Sequence, residues 1–315
     1  MRYCFANHVL AWSPHRRVEG PPLPAYRRLQ LAWIRRAGFE GVEMGDFWMD
    51  FYRMANTDLR AIRSEHEDSG LPIVALNCLR KAITPPGCAE RNQADLRRAI
   101  EVATLLGAET VSISLATPHA LLGQSTDLSR GQRFSLGGSR QATDGEYAQA
   151  TAFLRSLADD AAAAGIALSV ELHHNAITDT GATVARLVRA VDRPNVGGNP
   201  DLGNLHWTFA TPAESYSAAL LAVLEGGMNF WHVKNVQRVY VPELDRAAFL
   251  PTHLDGGDID YRWCLLTARA HGYNGWVSLE GAGPGDFLAI AERGLAYLKR
   301  IEADLAEINA RPTPG

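Results

Sequence analysis

With 315 residues the chain can bury a sizeable core, enough for two average domains or for one α/β barrel, a fold that runs about 250 residues before insertions. A formal net charge of −4 argues against a broad phosphate-binding surface, so no nucleic-acid partner is expected. Cys4, Cys78, Cys88 and Cys264 show no Cys-x-x-Cys spacing and three sit in or beside apolar runs, which fits thiols of a reducing compartment rather than disulfides.

The first residues, MRYCFANHVLAW, lack the long apolar core of a secretion signal. No uncharged apolar run approaches the ~18 residues of a membrane span, so a cytoplasmic protein without a membrane partner is expected. From there the chain repeats one theme: a short apolar run, a polar loop, an amphipathic segment. Residues 2–7 read as a strand ending at Asn7 and His8, and a helix spans about 24–37. GFEGVEMG is the second strand, with Glu43 near its far end. A helix over 57–69 follows, Thr57 being the expected N-cap. LPIVALNC is the third strand, with Asn77 near its end; a helix covers 90–106, and ETVSISLA is the fourth strand.

Residues 117–143, rich in Gly, Ser, Gln and Arg, carry no sustained period and read as a lid insertion. Asp144 is then expected to cap an Ala-rich helix through Ala164, and GIALSVELHHN forms the fifth strand. A helix over 180–191 and a strand over 194–201 come next, and Thr211-Pro212 reads as the opening of a helix. Residues 228–234 are the seventh strand, 236–257 an irregular excursion, and a helix starts near Asp258 or Asp260. Strand eight covers 275–280, and the last helix runs from about 286 to 308. Eight strands alternating with eight helices predict a single (β/α)8 barrel domain over 1–315. The competing open doubly wound sheet usually carries a Gly-rich loop after its first strand, and WSPHRRVEGPPLP contains no GxGxxG.

Four strands end in polar ligand types: Glu171, Asp201, His232 and Glu280. In a closed parallel barrel their C-terminal ends share one face, so two Glu, one Asp and one His converge. Such an oxygen-rich set with one imidazole suits a single divalent ion, manganese first, with magnesium, cobalt or zinc as alternatives. Each residue alone has a plainer reading: Glu171 as a rim carboxylate, Asp201 or Glu280 as a turn cap, His232 as a core histidine. The ordered set outweighs these, because nothing else in the chain would neutralise three clustered carboxylates.

The segments VELHHNAITDT, NVGGNPDLGNLHW, HVKN and GGDIDYRWCLLTARAHGYNGWVSLE resemble the xylose-isomerase-like TIM barrels, the sugar phosphate isomerase/epimerase superfamily that includes ketose 3-epimerases, inosose dehydratases and endonuclease IV. The resemblance implies an enzyme acting on a keto-sugar or sugar derivative through a metal-stabilised enediolate, with Glu171 and Glu280 as both ligands and acid/base groups on opposite faces. It further implies a small carbohydrate as partner, and a homo-oligomer is compatible with it. Lys234 lies two residues past His232 and Arg238 matches a substrate-binding position of the epimerases. His173 shares the face of Glu171 and is a third substrate-binding candidate, whereas His174 is expected to pack outside the barrel.

Two departures stand out. Where the epimerases have a His three residues after the metal Asp, this chain has Asn204, with His206 two further on, and both join the substrate-binding candidates. Ile177 occupies the position of a further epimerase carboxylate. These differences keep open a metal-dependent lyase of the same fold: a 3-oxo sugar acid decarboxylase, a dehydratase or a 3-keto C-glycoside deglycosidase subunit. A repair nuclease would need more ligands than His8 and His119 add, and a basic groove. A non-catalytic scaffold would be expected to have lost ligands. GAGPGD after strand eight, lacking Lys, Arg and Ser, reads as a tight turn rather than a phosphate site.

Overall fold

The computed structural model describes residues 1–12, 22–117, 138–208, 211–281 and 285–310. Most of the expected lid, His119 and part of the GAGPGD loop lie outside them. In chain order the strands are β1 (Arg2–Ala6), β2 (Gly41–Gly45), β3 (Ile73–Cys78), β4 (Thr110–Ile113), β5 (Ala167–Glu171), β6 (Val196–Asn199), β7 (Trp231–Val233), the pair β8 (Asn235–Val241) and β9 (Arg246–Thr252), and β10 (Trp276–Leu279). The helices are α1 (Pro24–Ala37), α2 (Asn56–Ser69), α3 (Ala89–Leu106), α4 (Asp144–Ala163), α5 (Gly181–Val191), the short α6 (Leu202–His206), α7 (Tyr216–Gly227), α8 (Tyr261–Ala270) and α9 (Phe287–Ala310).

Eight strands form one parallel sheet in the order β6-β5-β4-β3-β2-β1-β10-β7, the expected α/β barrel. Its two ends meet at a seam between β6 and β7, where a single bridge joins Gly198 to Met228. Beside that bridge, Asn229 N donates to Gly198 O at 3.2 Å, and two asparagine side chains tie β7 and the residues before it to β6 and β5. Asn199 Oδ1 accepts from His232 N at 2.7 Å, and Asn229 Nδ2 donates to Leu168 O at 2.8 Å. Gly197 leaves the space Asn229 needs, since a Cβ at 197 would lie 2.4 Å from Asn229 Cγ.

Apolar residues of the strands pack outward against the helices in one continuous cluster that runs from Tyr3 to Leu305. The lumen is polar. Asn199 on β6 reaches Ser112 on β4, and His232 on β7 reaches Glu43 on β2; neither pair is on adjacent strands, so both bonds cross the barrel. The loops enclosed by these elements thereby inherit a hydrophilic floor at the C-terminal mouth.

Several helix starts differ from the sequence reading. Thr143, not Asp144, caps α4 in a reciprocal box with Glu146, and Ala55 rather than Thr57 precedes α2. Ser215 caps α7, four residues after the expected Thr211, by accepting from Ala218 N. Asp260, one of two named alternatives, does cap α8 through the backbone N–H groups of Arg262 and Trp263. The excursion after β7 is not irregular: β8 and β9 form an antiparallel hairpin with Asn235 opposite Thr252. Its strands bury few alternate residues, so no period-2 signal marks it.

His66 on α2 gives the fold a defined pH response. Its ring is buried, Nδ1–H donates to Leu71 O at 3.0 Å, and burial pushes its pKa down to about 4. The folded state therefore keeps His66 neutral while the unfolded chain takes up a proton below pH ~6.5. Stability contributed by this group is intact above that pH and is lost as pH falls toward about 4, by roughly 3 kcal/mol at most. Urea unfolding between pH 7 and 4 checks this: His66→Gln should show a correspondingly shallower decline than the wild type.

Candidate metal and catalytic site

At the mouth, β5 delivers Glu171, the turn after β6 delivers Asp201, β7 delivers His232, and the residue after β10 is Glu280. All four are buried, and one ligand atom from each lies within 4.8 Å of the others. His232 Nδ1 stands 3.3 Å from Glu280 Oε1 and 3.6 Å from Glu171 Oε1. The sequence reading thus placed four side chains, separated by up to 109 positions (280 − 171), around one point.

Three polar atoms in this cluster are buried without a hydrogen-bond partner: Glu171 Oε2, Asp201 Oδ1 and His232 Nδ1. Such orphaned atoms are costly to bury. Their convergence, together with the three-carboxylate, one-imidazole donor set, fits a divalent cation of the oxygen-preferring kind.

The surrounding groups are ordered by the same carboxylates. Asn204, in α6, donates from Nδ2 to Asp201 Oδ2 at 2.7 Å, Glu171 Oε1 at 2.9 Å and Leu172 O at 3.0 Å. Its Oδ1 accepts from His174 Nδ1 at 3.2 Å. Asn204 is therefore a brace between two candidate ligands. His174, expected outside the barrel, is buried in the mouth instead, with its ring centroid 4.1 Å from that of His173 and 5.3 Å from that of Trp207. The chain turns after β5, with His173 N bonded to Thr178 O, so the period-2 alternation of a strand no longer applies at 174.

Contrary to the expectation that nothing else in the chain would neutralise the clustered carboxylates, Lys234 Nζ lies 2.5 Å from Asp201 Oδ2 and also contacts Glu280 Oε2. Its stem crosses α6 over Gly203, where a Cβ would lie 2.4 Å from Lys234 Cγ. Its backbone is held by Tyr261 OH, which donates to Lys234 O at 2.7 Å. Burial alone would lower the pKa of this ammonium, but Asp201, Glu280 and Glu171 outweigh burial and raise it. Glu280 is held well below the usual carboxylate range, against burial, by Lys234, His232 and His8, whose Nε2 is 3.3 Å from Glu280 Oε1. Burial instead pushes Asp201 up, opposed by Lys234.

His173 donates from Nδ1 to His174 O at 2.7 Å, leaving Nε2 as the lone-pair nitrogen, and burial lowers its pKa to about 4. His206 is buried, 4.0 Å from Asp258 through Nδ1. Arg238, on β8, donates from Nη1 to His206 O at 2.8 Å and to Thr208 O, so it ties the hairpin to the wall of the mouth. Trp207 stacks on Phe249 of β9 at 6.3 Å, extending that wall. Trp48 and Trp231 are buried core residues.

Sequence reasoning passed over Glu43 as a site residue. It is fully buried in the lumen, where Oε1 accepts from His232 Nε2 at 2.7 Å and Oε2 accepts from Ser278 Oγ. A carboxylate within GVEMG was itself the signal, since a charge in an all-buried strand needs partners.

Residues 31–301 match the family model described as xylose isomerase-like TIM barrel. No functionally curated protein matches the chain. Among solved structures, a xylose isomerase-like TIM barrel protein from Mycobacterium smegmatis in complex with magnesium is 26% identical over 89% of each chain, with a TM-score of 0.75. An L-ribulose 3-epimerase is 18% identical over 99% of each chain, with a TM-score of 0.72. The probable 3-DHS dehydratase AsbF, involved in petrobactin synthesis in Bacillus anthracis, is 16% identical over 95% of this chain and 99% of its own, with a TM-score of 0.64. Among the described residues no helix is long and apolar enough to cross a membrane.

Proposed function

The chain belongs to the xylose isomerase-like TIM barrel family, and on that premise we propose that it is a divalent-metal-dependent isomerase or epimerase of a keto-sugar or sugar derivative. The observation that carries this reading is the meeting of Glu171, Asp201, His232 and Glu280, three of them with an orphaned buried atom. These four residues would hold the ion, manganese or magnesium before cobalt or zinc. A bound divalent ion supplies positive charge beside the oxygen that becomes anionic when a proton leaves the carbon next to a carbonyl.

The protein's own groups supply the rest. β5 and β10 are separated by β6 and β7 on the shorter way round the barrel, so Glu171 and Glu280 approach a substrate from different sides. We assign Glu171 as the group that takes the α-proton, its carboxylate oriented by Asn204, and Glu280 as the group that returns one on the opposite face. Lys234 donates a hydrogen bond to a substrate oxygen, and neutral His173 orients a substrate hydroxyl through Nε2. His206 and Arg238 shape the outer wall on which the remainder of a sugar rests.

A lyase is the second reading, and Lys234 is the observation favouring it. An ammonium held among the ligand carboxylates can protonate a departing oxygen, which a simple epimerisation does not require. Incubating the manganese- or magnesium-loaded protein in D2O with keto-sugars, 3-oxo sugar acids and 3-keto glycosides separates the two. Deuterium incorporation without cleavage is expected for the isomerase, and loss of water, carbon dioxide or an aglycone for the lyase. Neither result with any carbonyl sugar, from protein shown to hold the ion, would refute both.

A further inference from the structure

His232 is the one imidazole of the four converging side chains, and the side of its ring away from them is closed by Glu43. The two residues sit on β7 and β2, which are separated by β10 and β1, so their 2.7 Å bond spans the lumen. Both side chains are 0% exposed. Glu43 is in turn fixed by the hydroxyl of Ser278 on β10. An ionised carboxylate can only accept hydrogen bonds, so the proton of this contact belongs to Nε2. Nε2 keeps its proton whatever the charge of the ring, so Nδ1 is the nitrogen left to offer a lone pair to a cation, and it is this atom that faces Glu171 and Glu280 with no hydrogen-bond partner.

We propose that Glu43 is a positioning residue of the cation centre, which fixes the ring orientation and tautomer of His232 so that Nδ1 is the ligand atom. An imidazole without that acceptor can carry its proton on either nitrogen and can rotate about its second side-chain torsion. Each alternative withdraws the lone pair from the cluster. The carboxylate also increases the electron-donating power of the ring, the usual effect of an anionic partner behind a ligating histidine. Ser278 holds the second carboxylate oxygen and so limits rotation of Glu43 itself.

The inference rests on the cation-binding reading above, and one experiment separates their failures. Full-length wild type, Glu43→Gln and Ser278→Ala are stripped with chelator, their metal-free thermal midpoints recorded, and each is titrated calorimetrically with MnCl2. The first substitution keeps the size of the side chain and removes the charge and the obligate acceptor on both oxygens. Glu43→Gln is expected to bind Mn2+ about 10–100-fold more weakly than the wild type, with a metal-free midpoint no lower. Ser278→Ala, which leaves the carboxylate on Nε2, is expected to weaken binding by a few fold. Less than a tenfold loss in Glu43→Gln overturns the proposal, as does a loss matched by a lower metal-free midpoint, because that is general damage. Should Glu43→Gln fail to fold, unchanged Mn2+ affinity in Ser278→Ala overturns it instead. A wild type that binds neither Mn2+ nor Mg2+ overturns the cation reading, whereas equal binding by wild type and Glu43→Gln overturns only the role of Glu43.

Discussion

Glu171→Gln is expected to abolish interconversion of two epimeric substrates while leaving proton exchange with solvent on one of them. Loss of a positioned general base lowers turnover by about 10²–10⁴-fold. The substitution preserves the volume of the side chain and its bond to Asn204, because the amide oxygen of Gln can still accept from Nδ2. What it removes is the basic oxygen. Glu280, on β10, remains able to exchange the proton of the epimer that presents its C–H bond to that side. Glu280→Gln is expected to show the converse selectivity. Both variants are compared at saturating manganese, so that any weakened ion binding does not enter the rates. Proton NMR in D2O, started separately from each epimer, reads the result. Exchange lost equally from both epimers in both variants would sink the two-face assignment.

Lys234→Met should leave a protein that depends on the divalent ion for its stability. In the metal-free protein the Lys234 ammonium is the cation nearest both Asp201 and Glu280, and all three side chains are buried. Removing one partner of a buried ionic cluster strands the others, at about 3–5 kcal/mol. In a chain of this size that corresponds to a fall in thermal midpoint on the order of 10 °C. A bound ion at about 100 times its dissociation constant returns about 2.7 kcal/mol. Without the ammonium on Asp201 and Glu280 a cation meets less competition, binds more tightly and returns more at the same concentration, so midpoints measured with EDTA and with excess manganese should lie farther apart in Lys234→Met than in the wild type. An equal gap in the two proteins would show that Lys234 is not the counter-charge for these carboxylates.

The barrel and the meeting of four ligand-type side chains at its mouth were legible because each depends on position along a strand. An apolar run ending in Glu171 or Glu280 says both that the run is buried and that its end emerges at the mouth, and parallel pairing does the rest. What stayed hidden depends on the third dimension. The bond between His232 and Glu43 joins strands 189 residues apart in sequence and not adjacent in the sheet, and no local pattern encodes it. Asn204 read as a substrate group by its place in a motif, yet its amide faces Glu171 and Asp201, which only the path of α6 decides. His174 misled because strand alternation was carried three residues beyond the strand, which ends at Glu171. The hairpin of β8 and β9 escaped because its apolar residues Val239, Tyr240 and Leu250 are exposed, giving neither a buried run nor an alternation.

The seam between β6 and β7 has a consequence for how the cylinder holds its shape. Asp201 follows the first of these strands and His232 lies on the second, so the candidate cation position straddles the neighbouring pair that, among the described residues, is joined by one isolated bridge rather than a ladder. A cation drawing those two side chains to one point would act as a rivet across the gap, completing the circumference by coordination. Filling the candidate cation position and closing the ring of staves would then be a single event.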